Sequence, residues 1–340
     1  MSRTLMWLEA ASASKVVAEQ LAQNGGVLAA IAAALAETPA PVVVTCARGS
    51  SDHAAGYLKF LLETRAGTLV ASLPPSVASI YETLPRIGDG VCVAISQSGR
   101  STDLLSTVEA MQRDKVRVIA MVNDADSPLA AMADFVVPLH AGVERSVAAT
   151  KSYIATLFAG LHLTSVLAPA TLPSSLLAAL PQQLDQAWAL DWTPLIDALA
   201  DARGLYVIGR GAGLAVAAEA ALKFKETCAL HAEAFSAAEV RHGPMALFDA
   251  DLPLLVFRQD DAAADSIDAL VDIAVGQGCR VFVTGRARAG ATALPVIDAP
   301  AIVQPLLQIQ SFYRAANDLA LRRGLDPDNP PLLRKVTVTV

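Results

Sequence analysis

The hydrophobic and polar positions of this chain alternate between two periods. Short apolar runs rich in β-branched residues occur at residues 41–46, 68–72, 91–95, 116–122 and 135–139, and these read as strands. Between several of them the apolar positions recur at helical spacing, as in 52–63 and 102–113. Strands separated by helices of this length predict a parallel sheet covered on both faces, an α/β fold. The pattern then restarts. Residues 205–208, 252–257, 280–284 and 295–297 read as strands, and 214–230 as a helix.

Two stretches, VVVTCARGSSDHAAGYLKFLLE and GLYVIGRGAGLAVAAEAALKFKE, can be laid side by side. Each gives a strand, then Arg-Gly (Arg48-Gly49, Arg210-Gly211), then a helix carrying Leu-Lys-Phe and a glutamate, the sign of an internal duplication. Two similar domains are expected, at 36–168 and 201–324, joined by a proline- and alanine-rich linker at 169–200. Ahead of them, 1–35 reads as an N-terminal helical segment, in which 6–35 forms one alanine-rich helix packed on the first domain. Behind them, 325–340 is a proline-broken tail that ends in alternating valine and threonine and is expected to dock and close the site.

Composition narrows the class. The chain has 340 residues, 54% hydrophobic and 17% charged, as in a compact apolar-rich protein rather than a disordered one. A formal charge of -7 and the lack of a Lys/Arg cluster argue against a nucleic-acid partner. Cys46, Cys92, Cys228 and Cys279 are scattered without metal-ligand spacing, so reduced buried thiols and no metal are expected. The N-terminus carries polar and acidic residues where a signal peptide needs an apolar core, which points to the cytoplasm. Residues 152–184 are uncharged, but His162, Thr164, Ser165 and three prolines interrupt them, so a buried helix is expected there and no membrane span.

Candidate chemistry sits behind the strands. Ser96-Gln97-Ser98-Gly99 follows an apolar run and leads to Ser101 and Thr102 at a helix start. Such a turn either caps the helix or aims hydroxyls and N–H groups at a phosphate. Gly49-Ser50-Ser51, behind the first strand, supplies a second hydroxyl loop at the same sheet edge and favours the phosphate, because ligands of open α/β sheets lie beyond the strands' carboxyl ends. In EAALKFKE, Glu219, Lys223 and Glu226 share one helical face, on a helix otherwise apolar enough to be buried. His242 precedes Gly243-Pro244 in a turn, where an imidazole can meet substrate. His231 reads as structural, and no HxxxH or HExxH spacing exists.

Together SQSG, SVAATKSY, EAALKFKE, HAEAFSAAEVRHGP and the PPLLRKVTV tail resemble the double sugar isomerase (SIS) domain family, from about Pro41 onward. Within it the chain is similar to the isomerase half of glutamine:fructose-6-phosphate amidotransferase and to free-standing SIS-type glucosamine-6-phosphate deaminases. The resemblance implies two tandem SIS domains, each a flavodoxin-like three-layer sandwich. It implies that Ser51, Ser96, Gln97, Ser98 and Ser101 hold a sugar phosphate, and that Val147 and Ala149, with Glu144 nearby, line the sugar site. By the same resemblance Glu226 is the base moving a proton between C2 and C1, Lys223 steadies the intermediate's oxygen, His242 is the ring-opening acid/base, and Lys335 forms a Schiff base with the ketose. No cofactor is implied. A homodimer is, with His242 lent across the interface.

Two departures accompany the likeness. The family's Cys-Gly-Thr-Ser loop is here Ala47-Arg48-Gly49-Ser50-Ser51, and the Glu after SQSG is here Arg100, so both changes put positive charge near the phosphate loops. No glutaminase segment with its nucleophilic cysteine precedes the sugar domains in this sequence, which favours the ammonia-releasing direction, a glucosamine-6-phosphate deaminase. The alternatives are a galactosamine-6-phosphate deaminase/isomerase, a deglycase of sugar-amine adducts, and a non-catalytic sugar phosphate sensor.

Overall fold

A computed structural model describes residues 3–286 and 288–335. The valine-threonine end of the expected tail, 336–340, lies outside the described residues. The chain forms two compact units, one comprising Ala13–Glu144 and Lys151–Pro181, the other the described residues through Ser12 with Arg145–Thr150 and Gln182–Lys335.

The first unit is built on a five-stranded, fully parallel sheet of β1 (Val42–Cys46), β2 (Leu69–Ser72), β3 (Val91–Ser96), β4 (Arg117–Val122) and β5 (Phe135–Pro138), in the order β2-β1-β3-β4-β5. All six residues of β3 are buried. Val91, Val93 and Ile95 enter one apolar cluster and Cys92 and Ala94 another, so each sheet face has its own core and the strand reads as a continuous apolar run.

The second unit repeats the plan with β6 (Gly204–Gly209), β7 (His231–Ser236), β8 (Leu254–Val256), β9 (Val281–Thr284) and β10 (Thr292–Leu294), also all parallel, in the order β10-β9-β8-β6-β7. The expected α/β architecture with two parallel sheets is therefore observed.

The helices used below are α1 (Leu5–Ala11), α2 (Ala13–Gln23), α3 (Gly25–Glu37), α4 (Gly49–Leu61), α5 (Thr102–Arg113), α6 (Lys151–Leu167), α7 (Gly213–Cys228) and α8 (Gln304–Arg322). Helix α5 has the bounds its periodicity predicts. Helix α6 takes up the first half of the uncharged stretch and is buried from Lys151 through Ser165, as expected. Among the described residues no helix is long and apolar enough to cross a membrane.

Three expectations need correction. The strand expected at 295–297 lies three residues earlier, as β10, because Pro295 has no N–H to continue the ladder beside β9. Strand β7 was not foreseen: it is a sheet edge with only Ala232 fully buried, so its sequence HAEAFS lacks an apolar run. The single N-terminal helix is three helices, of which α2 and α3 belong to the first unit, as expected, and α1 is grouped with the second. Contacts from distant parts of that unit hold it. The Asp328 carboxylate accepts the N–H groups of Leu5 and Met6, each at 2.7 Å, and Gln310 on α8 donates to the Ala10 carbonyl.

Candidate active site

Strands β1 and β3 are parallel neighbours, with Cys46 opposite Ala94, so the loops behind them leave the same edge of the first sheet. Behind β3 the chain turns on itself through its own hydroxyls: Ser96 Oγ accepts the Gly99 N–H at 2.9 Å, and Ser98 Oγ accepts the Arg100 N–H at 3.3 Å. Gly99 has φ +63°, and a Cβ there would stand 2.1 Å from Ser127 Oγ, so only glycine fits. Ser101 occupies the N-cap position of α5 without capping it through its side chain. Capping thus does not account for that hydroxyl. Gln97, Ser98, Ser101 and Ser51, the last in the first turn of α4, are half-buried.

Arg48 and Arg100 do not leave free positive charge at these loops. The Arg48 guanidinium donates to the buried Asp103 carboxylate at 2.8 and 2.9 Å, which links the loop behind β1 to the first turn of α5. Arg100 pairs with Asp124 at 2.9 Å. Each added cation therefore has its own carboxylate.

In the second unit Glu219, Lys223 and Glu226 share a face of α7 as their spacing predicts. Lys223 is 1% exposed, lies 3.3 Å from Glu219, and donates a short hydrogen bond to Glu226. Tyr313, from α8, donates to the other carboxylate, Glu219, at 3.1 Å. Burial disfavours the Lys223 ammonium, but the Glu219 and Glu226 carboxylates against it outweigh that and hold its pKa above the ordinary value. Glu219 is buried, whereas Glu226 keeps about a fifth of its side chain exposed, so Glu226 is the carboxylate of the set that reaches solvent.

Glu226 also lines a cavity of about 410 Å³, walled by Leu222 of α7, by Ala229 just past its end, and by Leu325, Pro330 and Leu333 of the C-terminal segment. That segment and the proposed base thus meet. Lys335 donates to the Ser146 carbonyl at 2.7 Å, in the loop that carries Val147 and Ala149. Glu144 is occupied differently: buried, it accepts from Ser152 N–H at 3.3 Å and Ser152 Oγ at 2.6 Å and so secures the start of α6. His242 ends a 3₁₀ turn, Glu239–His242, ahead of Gly243 at φ +144°. It is exposed, and no hydrogen bond to Glu226 or Lys223 is found for it among the described residues.

Sequence reasoning missed Tyr313, Asp103 and Ser127. Tyr313 reads as one more apolar position of an amphipathic helix, and Asp103 as an ordinary first-turn acid. Nothing in their local patterns marks the partners they find. A larger cavity of about 610 Å³, bordered by Ser79, Glu82, Ser106 and Arg113, includes none of the expected site residues. Among the described residues no three His, Cys, Asp or Glu side chains are grouped to hold a metal.

The SIS domain family model matches residues 38–165 and 198–293, covering both sheets. The chain belongs to the SIS domain family. A Silicibacter pomeroyi DSS-3 protein described as a candidate phosphosugar isomerase is similar at 39% identity and TM-score 0.91, over 96% of this chain and 100% of that one. The glutamine–fructose-6-phosphate aminotransferase (isomerizing) of Pyrobaculum aerophilum is 33% identical over 305 residues, 86% of this chain and 50% of that protein. The C-terminal domain of the glucosamine-fructose-6-phosphate aminotransferase of Francisella tularensis superimposes with TM-score 0.85 at 20% identity, covering 96% of this chain and 99% of that one, a likeness of fold. The SIS chain spans about half the length of the curated relatives it matches.

Proposed function

We propose that this SIS protein is a sugar phosphate isomerase acting on an amino sugar phosphate, with release of ammonia. Glucosamine-6-phosphate and water would give fructose-6-phosphate and ammonia. The observation that carries the reading is the Glu219–Lys223–Glu226 set. A buried ammonium held charged by two carboxylates suits the developing oxyanion of an enediol or enolamine, and the partly exposed Glu226 beside it suits a base that moves a proton between adjacent carbons. The hydroxyl and N–H groups of Ser51, Ser96, Gln97, Ser98 and Ser101 would bind the phosphate. His242 would open the ring, and Lys335 would condense with the ketose carbonyl.

A binding-only sensor needs the phosphate loops but not a buried lysine between two carboxylates, which desolvates charge at a cost a sensor has no use for. The decisive experiment incubates purified protein with glucosamine-6-phosphate and with galactosamine-6-phosphate, and measures ammonia and ketose phosphate separately. Both products in equal amounts from one epimer are expected. Ketose phosphate formed from an aldose phosphate, with no ammonia from either amino sugar, would leave isomerisation and remove deamination. No turnover despite phosphate-dependent binding would leave the sensor.

A further inference from the structure

Within the second unit three stretches remote in sequence are knitted together by a few hydrogen bonds. Asp328 caps α1 by accepting from Leu5 and Met6. Glu9, buried near the end of that helix, turns its carboxylate onto the loop of Val147 and Ala149, accepting the N–H of Arg145 at 2.5 Å and that of Ser146 at 3.1 Å. The next peptide of the loop is held from both sides. Its carbonyl, on Ser146, accepts from Lys335 Nζ at 2.7 Å, and its N–H, on Val147, donates to the Asp328 carbonyl at 3.4 Å.

The N–H that Glu9 holds and the carbonyl that Lys335 holds belong to the same residue, Ser146. Only two backbone torsions separate them, so the carboxylate on α1 determines which way the carbonyl under the lysine faces. We propose that Glu9 is a positioning residue for the reaction: by fixing the backbone at Ser146 it sets the place of Lys335 and of the Val147–Ala149 backbone. This rests on the functional reading of Lys335 and that loop given above. A carboxylate suits the task because it only accepts, and each of its two oxygens takes one N–H in a charge-assisted bond. Glutamine in its place would turn an NH₂ group toward one of the two backbone donors and lose that bond.

The test compares wild type with Glu9→Gln and Glu9→Asp. Three quantities are read: amide hydrogen exchange over residues 145–150, the rate at which trinitrobenzenesulfonate labels Lys335, and steady-state kinetics on the sugar phosphate. In Glu9→Gln the Arg145 and Ser146 amides should exchange at least about tenfold faster and Lys335 should label several-fold faster. The kcat should fall about tenfold or more, since small displacements of a reacting group are costly, while KM should change less than about threefold because the phosphate loops are untouched. Glu9→Asp keeps the charge but is one methylene shorter, and should be intermediate in all three; it decides the matter if Glu9→Gln does not fold. A folded Glu9→Gln protein with kcat within twofold of wild type would overturn the proposal. Wild-type exchange and labelling in the variant would overturn it whatever the activity, whereas an inactive wild type would instead defeat the functional reading, so the two failures are told apart.

Discussion

Lys223 offers the sharpest test of how helix α7 is built. Its ammonium is the cation between a fully buried carboxylate, Glu219, and a partly exposed one, Glu226. Replacing it with methionine fills the volume but takes the ammonium away from the buried Glu219 carboxylate, to which the Tyr313 hydroxyl still donates. Removing one member of a buried ion pair costs about 3 to 5 kcal/mol, because the other charge stays desolvated and uncompensated. For a unit of this size that corresponds to a fall in Tm of roughly 6 to 20 °C. Removing both charges is a different perturbation. Lys223→Met with Glu219→Gln should recover stability to within about 1 to 2 kcal/mol of wild type, since a neutral amide still accepts from Tyr313, yet activity should stay lost.

The sign of the pH dependence follows from the raised Lys223 pKa. A cation whose folded pKa lies above its ordinary 10.5 contributes stability that is complete below that value and is lost as pH rises through the folded pKa. The gap between wild type and Lys223→Met, measured by urea denaturation, should therefore be level from pH 6 to 9 and narrow only above about 10.5. A single variant within about 1 kcal/mol of wild type at pH 7 would refute the idea that Lys223 compensates a buried charge.

Ser98→Ala should raise KM roughly tenfold to a hundredfold with the fold intact, as one donor to a charged phosphate is worth roughly 1.5 to 3 kcal/mol; an unchanged KM would return the loop to a purely structural role. Gly99→Ala puts a side chain at φ +63° against Ser127, so it should lower the Tm and abolish stabilisation by a sugar phosphate, and a normal melt with a normal ligand response would contradict the geometry. Burial pushes the thiol of Cys46 up to about 12 and that of Cys228 to about 11, and raises Cys92 and Cys279 as well, so none should react with Ellman's reagent at pH 8 until the protein is denatured. If the protein is a homodimer that shares His242, mixing Glu226→Gln with His242→Ala chains should restore part of the activity, and no recovery after confirmed subunit exchange would place each site within one chain.

What the sequence determined by itself was whatever periodicity or a local motif encodes. Strands buried on both faces are apolar throughout, so β1, β3 and β4 were legible, and the duplication showed that the sheet is built twice. The face shared by Glu219, Lys223 and Glu226 followed from helical spacing alone. Tertiary structure decided what depends on partners distant in the chain. Strand β7 exists because β6 offers it a free edge, and its own residues carry no apolar run. The N-terminal segment reads as one helix because alanine favours helix everywhere, but among the partners that hold α1 are Asp328 and Gln310, more than 290 residues away. The positive charge of Arg48 and Arg100 was visible in the sequence, and its cancellation by Asp103 and Asp124 was not. Periodicity reports which face of an element is buried; it carries no record of which distant carboxylate, hydroxyl or backbone N–H closes against that face, and those pairings orient the candidate site.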